Sequence, residues 1–443
     1  MNETGETKAA EITGAAEASK GKQTGQRIAK VLVFLGIFCV MLYFLCDIFE
    51  YPNNYISYRY TLYKDFEPDT VDAVMIGTSG FDRSWIAAKG FEKFGITVYP
   101  LAVDAMPCYL AIDMIKEAYR FQNPKLVILD MRMFSLFELE DNIELGKVRA
   151  RRVIDTLDYF SPNRFDAIKR TLNAIHEADP KESKFNISFL LSFIQFHSKW
   201  NEEDFNLLDE IGSKNSPYLG FYLTKNSAMV KTLKETKWSD ERMDLTKNAR
   251  ESLDEILNYC EQHDIELLFL DTPHYLSDVQ VKRTNALCDI LDSKGIKWVS
   301  FAGEEWTTEE SNFDSLVHID ENGRYAMHFN GLDLAFDTRE RAWDYFIKHT
   351  FDSTIHFYDN SHLNFDGAVI LTRLLGDYLV NNYELENHTG EPEYSDWVDV
   401  YPKIKKKVKK YKNSIEKAEV GELTDYEREQ MEREDRNTKN NEE

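Results

Sequence analysis

Residues 31–46 read VLVFLGIFCVMLYFLC, without one charged side chain. With Ile28, Ala29 and Ile48 at its borders, the run reaches roughly the twenty residues that a membrane-spanning helix needs. A backbone in hydrocarbon must satisfy its own hydrogen bonds, so in a bilayer this segment can only be a helix. Lys20, Lys22, Arg27 and Lys30 precede the run, and Asp47 and Glu50 follow it. That asymmetry predicts a single-pass protein of the cell membrane, with a cytoplasmic N-terminus and the bulk of the chain outside. Asp47-Ile48-Phe49-Glu50-Tyr51 offers none of the small residues of a signal-peptide cleavage site. Phe44 and Leu45 are too bulky for a lipoprotein site at Cys46. The reading is therefore an uncleaved anchor over 27–49. Residues 1–26, rich in Ala, Gly, Thr, Glu and Lys and without apolar periodicity, predict a disordered cytoplasmic leader.

Beyond the anchor, short apolar runs alternate with helical patterns. The strands expected are Ala73–Ile76, 97–101, Leu126–Asp130, Glu266–Asp271 and 297–301; the helices are 108–121, 240–263, Asp278–Ser293 and 366–383. Nearly continuous apolar strands separated by helices predict a mostly parallel sheet covered on both faces, a three-layer α/β/α sandwich. Two stretches interrupt the alternation. Residues 133–239 read as a largely helical insertion, and 304–351 as a second one. The outer domain is placed at 50–387, followed by a charged tail over 388–443. The lysine run of the tail, Lys403 to Lys412, predicts a solvated helix or disordered arm, with attraction to an anionic envelope polymer or lipid surface as the alternative. A formal charge of -24 argues against a nucleic-acid partner. The five cysteines show no CxxC pair and no histidine at metal-ligand spacing, so no disulfide framework or zinc site is expected. Nothing else in the sequence implies a metal or organic cofactor.

Two short segments carry chemistry. Gly77-Thr78-Ser79 directly follows the first strand, which puts Ser79 at a strand's carboxyl end. Asp359-Asn360-Ser361-His362 stands just before the last long helix. A serine hydroxyl needs a neighbouring imidazole to take its proton, and the imidazole needs a carboxylate to fix its tautomer. The Asp359–His362 spacing lets the carboxylate accept from Nδ1 and leaves Nε2 for Ser79. Taken singly, Ser79 also reads as a helix cap and His362 as an exposed side chain. The α/β-hydrolase elbow is excluded, because Phe81 stands where its second glycine would be.

With these segments in place, the chain resembles the SGNH hydrolase superfamily, and within it the membrane-anchored cell-envelope branch. That branch includes the D-alanine transfer protein of lipoteichoic acid synthesis and the alginate O-acetyltransferases. The resemblance rests on Tyr51-Pro52-Asn53-Asn54, on 72–79 (DAVMIGTS), on Tyr99-Pro100-Leu101-Ala102 and on 124–130 (PKLVILD). It also rests on Asp271-Thr272-Pro273 and, most specifically, on 357–368 (FYDNSHLNFDGA). It implies a flavodoxin-like five-stranded sheet and a triad of Ser79, Asp359 and His362. It implies oxyanion donors at the amides of Ser79 and Ala102, with alanine standing where the family usually has glycine. The family's G-x-N-D motif is replaced by Asp130-Met131-Arg132-Met133, which makes Arg132 the geometric candidate for a third donor. Gly80 stands where related proteins often carry a polar residue. His274 and Tyr275 are expected in the pocket wall.

The function these readings predict is a serine acyltransferase or esterase acting on O-acyl groups of an envelope polysaccharide or teichoic-acid-like polymer. The resemblance implies a polytopic membrane O-acyltransferase as partner. The alternatives are a carbohydrate O-deacetylase and a catalytically silent polymer-binding or scaffold subunit.

Overall fold

The structure is a computed structural model, and it describes residues 3–49, 54–135, 142–201, 217–329 and 332–419. The motif residues Tyr51 to Asn53 and the tail beyond Glu419 lie outside them. The chain forms two compact units, one of Met1–Glu50 with Leu191–Gly212, the other of Tyr51–Leu190 with Ser213–Glu443.

The first unit is built on one helix, Glu3–Ile48. Its stretch Gln26–Ile48, 23 residues of mean hydropathy 2.6, is long and apolar enough to cross a membrane. The leader expected to be disordered is helical from Glu3 onward. Ala, Glu and Lys are strong helix formers, and a helix already nucleated by the apolar run propagates into them at little cost. Within this unit the Ser192 hydroxyl donates to the Cys46 carbonyl at 2.7 Å.

The second unit carries the sheet: β1 (Ala73–Ile76), β2 (Val98–Pro100), β3 (Leu126–Asp130), β4 (Glu266–Asp271) and β5 (Lys297–Ser300). All neighbours are parallel, in the order β2-β1-β3-β4-β5. Every residue of β1 and β3 is buried, as the apolar runs Ala73–Ile76 and Leu126–Leu129 require, and Asp130 is buried with them at the end of β3. Because β1 lies inside the order, its crossover to β2 runs opposite to the three that follow. Right-handed connections then place Ala87–Phe94 on one face, with Ala111–Ala118, Lys247–Gln262 and Asp278–Ser293 on the other. Phe365–Asn382 completes the first face. Helix Asn54–Asp65 covers the edge strand β2: Tyr63 packs on Tyr99 at 5.6 Å, and the Tyr99 hydroxyl donates to the Arg59 carbonyl at 2.8 Å.

Among the described residues the outgoing half of the first insertion is largely helical, including Ile143–Ile154 and Pro162–Ala178. Its return, 217–246, is a strap with a single helical turn at Asn226–Ala228. Besides short-range bonds within 218–229, the strap's backbone bonds to segments remote in the chain. Tyr222 N donates to Asp82 O at 2.8 Å, Lys231 N to Phe357 O at 2.8 Å and Leu233 N to Ser353 O at 2.8 Å. The second insertion forms a three-stranded antiparallel sheet, β6 (His318–Ile319), β7 (Tyr325–Phe329) and β8 (Leu332–Phe336), flanked by Glu310–Leu316 and Arg339–Lys348.

The predicted boundary at 387 is also corrected. Trp397 is buried between Phe66 (5.4 Å) and Phe91 (5.8 Å), and His388 Nε2 meets Asp72 Oδ1 at 3.2 Å. Helix Val400–Glu419 buries Val400, Tyr401, Ile404, Val408 and Tyr411. The lysines that mark this segment as solvated sit between apolar residues at helical spacing, so one face is core and the other is charged.

Candidate active site

Ser79, Ala102, Arg132 and His274 follow β1, β2, β3 and β4 respectively, so a parallel sheet delivers all four to one rim. Ser79 opens a one-turn helix, Ser79–Asp82, and the cap is Thr78 rather than Ser79: the Thr78 hydroxyl accepts from Gly80 N at 3.2 Å. This leaves the Ser79 hydroxyl uncommitted to the turn. The buried Asp130 carboxylate holds the turn from beneath, accepting from Thr78 N at 2.9 Å and from the Thr78 hydroxyl. Gly77 has to be glycine, because a Cβ there would overlap the Asp130 side chain.

The aspartate–histidine loop reaches the same rim. Tyr275 N donates to Asn360 O at 2.9 Å, and Arg132 Nη1 to Ser361 O at 3.0 Å. Ser79 Oγ stands 2.7 Å from His362 Nε2. His362 Nδ1 lies 2.9 Å and 3.0 Å from the two Asp359 oxygens, and Asp359 is oriented in turn by Ser361 N at 2.6 Å. The Tyr358 ring stacks on the imidazole at 5.4 Å with an interplanar angle of 12°. The three predicted triad members, 283 residues apart at the extremes, thus form one hydrogen-bonded chain. They remain reachable: the His362 side chain is 15% exposed and that of Asp359 38%.

Arg83 is the residue that sequence reasoning missed. Its Nη1 is 3.3 Å from His362 Nε2 and 3.1 Å from Asp104 Oδ1, and its guanidinium lies 4.7 Å from the Tyr222 ring of the strap. Asp82, buried beside it, pairs with Arg59 at 2.6 Å. Arg59 also donates to the carbonyls of Ala102 and Gly220, joining the loop after β2 to the strap. The signal was present in the motif itself: Asp82-Arg83 is a charged pair directly behind the nucleophile.

Arg132 is buried and packs on Gly80; a Cβ at position 80 would overlap its guanidinium and crowd the Thr272 hydroxyl. Glycine at 80 therefore makes room for the Arg132 guanidinium. His274 is 3% exposed, with Nδ1 at 2.7 Å from the Thr272 carbonyl. It lies in the floor rather than in an open pocket wall. Arg132 Nε, Thr272 Oγ1 and His274 Nε2 are buried with no hydrogen-bond partner among the described residues. Val103 N donates to Gly77 O at 2.9 Å, which draws the segment after β2 against the nucleophile turn. The amides of Ser79 and Ala102 make no hydrogen bond among the described residues.

Electrostatics keep His362 neutral. Burial, and then the Arg83 charge, push His362 down to about 4 against the opposing pull of Asp359. Burial works to raise Asp359, but its bonds to His362 and Ser361 outweigh it and hold the carboxyl below its usual range. His274 is lowered by burial and by Arg132. Burial and neighbouring Asp130 push Asp271 up to about 7, with Arg132 opposing. Among the described residues no group of three or more His, Cys, Asp or Glu side chains is placed to hold a metal ion. A cavity of about 420 Å³, lined by Tyr109, Arg170 and Glu255 among others, lies between Pro162–Ala178 and Lys247–Gln262, away from the triad.

Comparisons with protein-family models, curated proteins and solved structures found no match to this chain.

Proposed function

We propose that the chain is a membrane-anchored serine acyltransferase or esterase of the SGNH type, its outer domain acting on O-acyl groups of a cell-envelope polymer. The observation that carries this reading is the 2.7 Å contact of Ser79 Oγ with His362 Nε2, on an imidazole held by Asp359 at its other nitrogen. Ser79 Oγ attacks the acyl carbonyl and its proton passes to Nε2. The leaving alkoxide takes that proton from Nε2 as the ester bond breaks, which leaves an acyl-Ser79 intermediate. An acceptor hydroxyl, or water, then gives its proton to His362 and attacks the acyl carbonyl, and Ser79 is restored.

The unpartnered amides of Ser79 and Ala102 are the oxyanion donors in this scheme, and Arg132, against Gly80, is the third. The strap favours transfer over hydrolysis, since its Tyr222 covers Arg83 and shields the base from one side. A single anchored domain has no route of its own to cytoplasmic acyl donors, so a polytopic O-acyltransferase is the partner that supplies it. A silent polymer-binding subunit is the competing reading.

The full-length protein in detergent, treated with a serine-directed fluorophosphonate, is expected to label at one site and to lose the label in Ser79→Ala. A folded protein that takes no label would reject the enzyme in favour of the silent subunit.

A further inference from the structure

Within the first unit, a returning segment meets the anchor at one end of the span. Gln26 to Leu45 are exposed apart from Leu42, whereas Cys46 is 2% exposed. The change falls where helix Ser192–Phe196 packs on the anchor and the Ser192 hydroxyl bonds to the Cys46 carbonyl at 2.7 Å. Cys46 stands two residues before Ile48, the last residue of the 23-residue span. At 1.5 Å per residue it is about 3 Å from that end. The span is about 35 Å long, against a hydrocarbon core of roughly 30 Å. A segment fastened at Cys46 therefore lies where acyl chains give way to headgroups once the anchor crosses a bilayer.

The composition of the segment suits that depth. Residues 183–201, SKFNISFLLSFIQFHSKWN, hold no Asp or Glu, in a chain that has 77 of them. In the part that belongs to the first unit, Trp200 is 66% and Ile194 38% exposed, and Phe193 and Phe196 are half-buried. Trp200 is carried on a short 3-10 stretch, His197–Asn201, that continues the helix. An indole is favoured at a membrane–water boundary, because its ring meets acyl chains while its N–H stays among polar groups.

We infer that residues 191–201 form a second membrane contact, seated in the leaflet at the C-terminal end of the span, with Trp200 and Ile194 inserted among its lipids. The inference goes beyond the acyl-transfer reading and rests only on the anchor's crossing of the bilayer. Depth decides for lipid as the occupant: a side chain exposed beside the last turn of a spanning helix meets lipid unless a second protein displaces it. The segment also has none of the carboxylates that anionic headgroups would repel. A lone helix lets the chain that follows it swing about one point, and a second contact restricts that swing.

The test uses the full-length chain at one copy per phosphatidylcholine nanodisc, with lipid brominated on the upper part of its acyl chains as the quencher of tryptophan emission. Wild type is expected to lose emission in the brominated discs. Trp200→Phe, which removes one of seven tryptophans, should lose less. Adding Ile194→Trp to Trp200→Phe should bring the quenching back. Near-ultraviolet circular dichroism matching wild type shows that each variant is folded. Fluorophosphonate labelling, which reports the acyl-transfer reading separately, should be the same in all three proteins. Equal quenching of wild type and Trp200→Phe, or no quenching of either, would overturn the membrane contact. So would an Ile194→Trp that restores nothing, because the segment would then not be seated in lipid. Quenching that disappears when two copies share a disc would give the surface to a second copy of the chain instead.

Discussion

Two donors face one lone pair at the centre of the site. The Ser79 hydroxyl and Arg83 Nη1 both approach His362 Nε2, at 2.7 Å and 3.3 Å. A fixed positive charge there opposes protonation of the base, and Asp104 at 3.1 Å from Arg83 keeps the opposition moderate. Since His362 is pushed down to about 4 from an ordinary value near 6.5, it stays unprotonated across neutral pH. The rate of Ser79 labelling is thus expected to fall with acid at a midpoint near 4. Arg83→Met should move that midpoint upward, and an unchanged pH profile would show that the charge does not act on the base. The same shift acts on stability. The unfolded imidazole takes up its proton first, so this contribution is lost as pH falls from about 6.5 through 4. Two glycines in the nucleophile segment are equally specific. Gly77→Ala forces a methyl into Asp130 and is expected to cost about 1–3 kcal/mol in a denaturant melt. Gly80→Ala should displace Arg132 and slow labelling more than it lowers stability.

At the scale of elements, the helix Phe365–Asn382 brings the base to the rim, and Asn364 secures its start. The Asn364 side chain caps Gly367 N at 3.1 Å and donates to Ile355 O at 2.7 Å and to Met229 O of the strap at 3.1 Å. Removing a cap alone costs about 1 kcal/mol, and each of the two other side-chain hydrogen bonds lost adds about 0.5–1.5 kcal/mol. Asn364→Ala is therefore expected to lower the melting temperature and to loosen the strap, measurable as faster amide exchange at Lys231 and Leu233. Most elements around the sheet were legible from periodicity. Asp278–Ser293 was placed to the residue, and β1, β3 and β4 likewise. The helix expected over 240–263 starts only at Lys247, because Asn285 binds the carbonyls of Ser239 and Glu241 and holds that stretch extended. The strap was not legible for the same reason: its backbone partners are supplied by distant loops, which local pattern does not record.

For the whole molecule, the C-terminal segment is structural rather than appended. Trp397 fills the space among Phe66, Phe91 and Tyr99 over the β2 side of the sheet. Trp397→Ala is expected to cost about 3–5 kcal/mol, and a chain ending at Asn387 to be far less stable, by chemical denaturation. The orientation predicted for the anchor is open to a direct check: protease added to intact cells should remove the outer domain and spare the leader. Protection of the whole chain would reverse it.

From the amino-acid order alone came the spanning segment, the alternation that builds a parallel sheet, and the identities of Ser79, Asp359 and His362. Each depends on residue type and near-neighbour spacing, which determine local conformation and intrinsic chemistry. Only the tertiary structure decided that Arg83 faces the base, that Arg132 occupies the space left by Gly80, that the strap crosses the rim, and that the lysine helix is half core. Those facts are distances between segments remote in the chain, and a distance of that kind exists only once burial of the sheet has brought the loops to one edge.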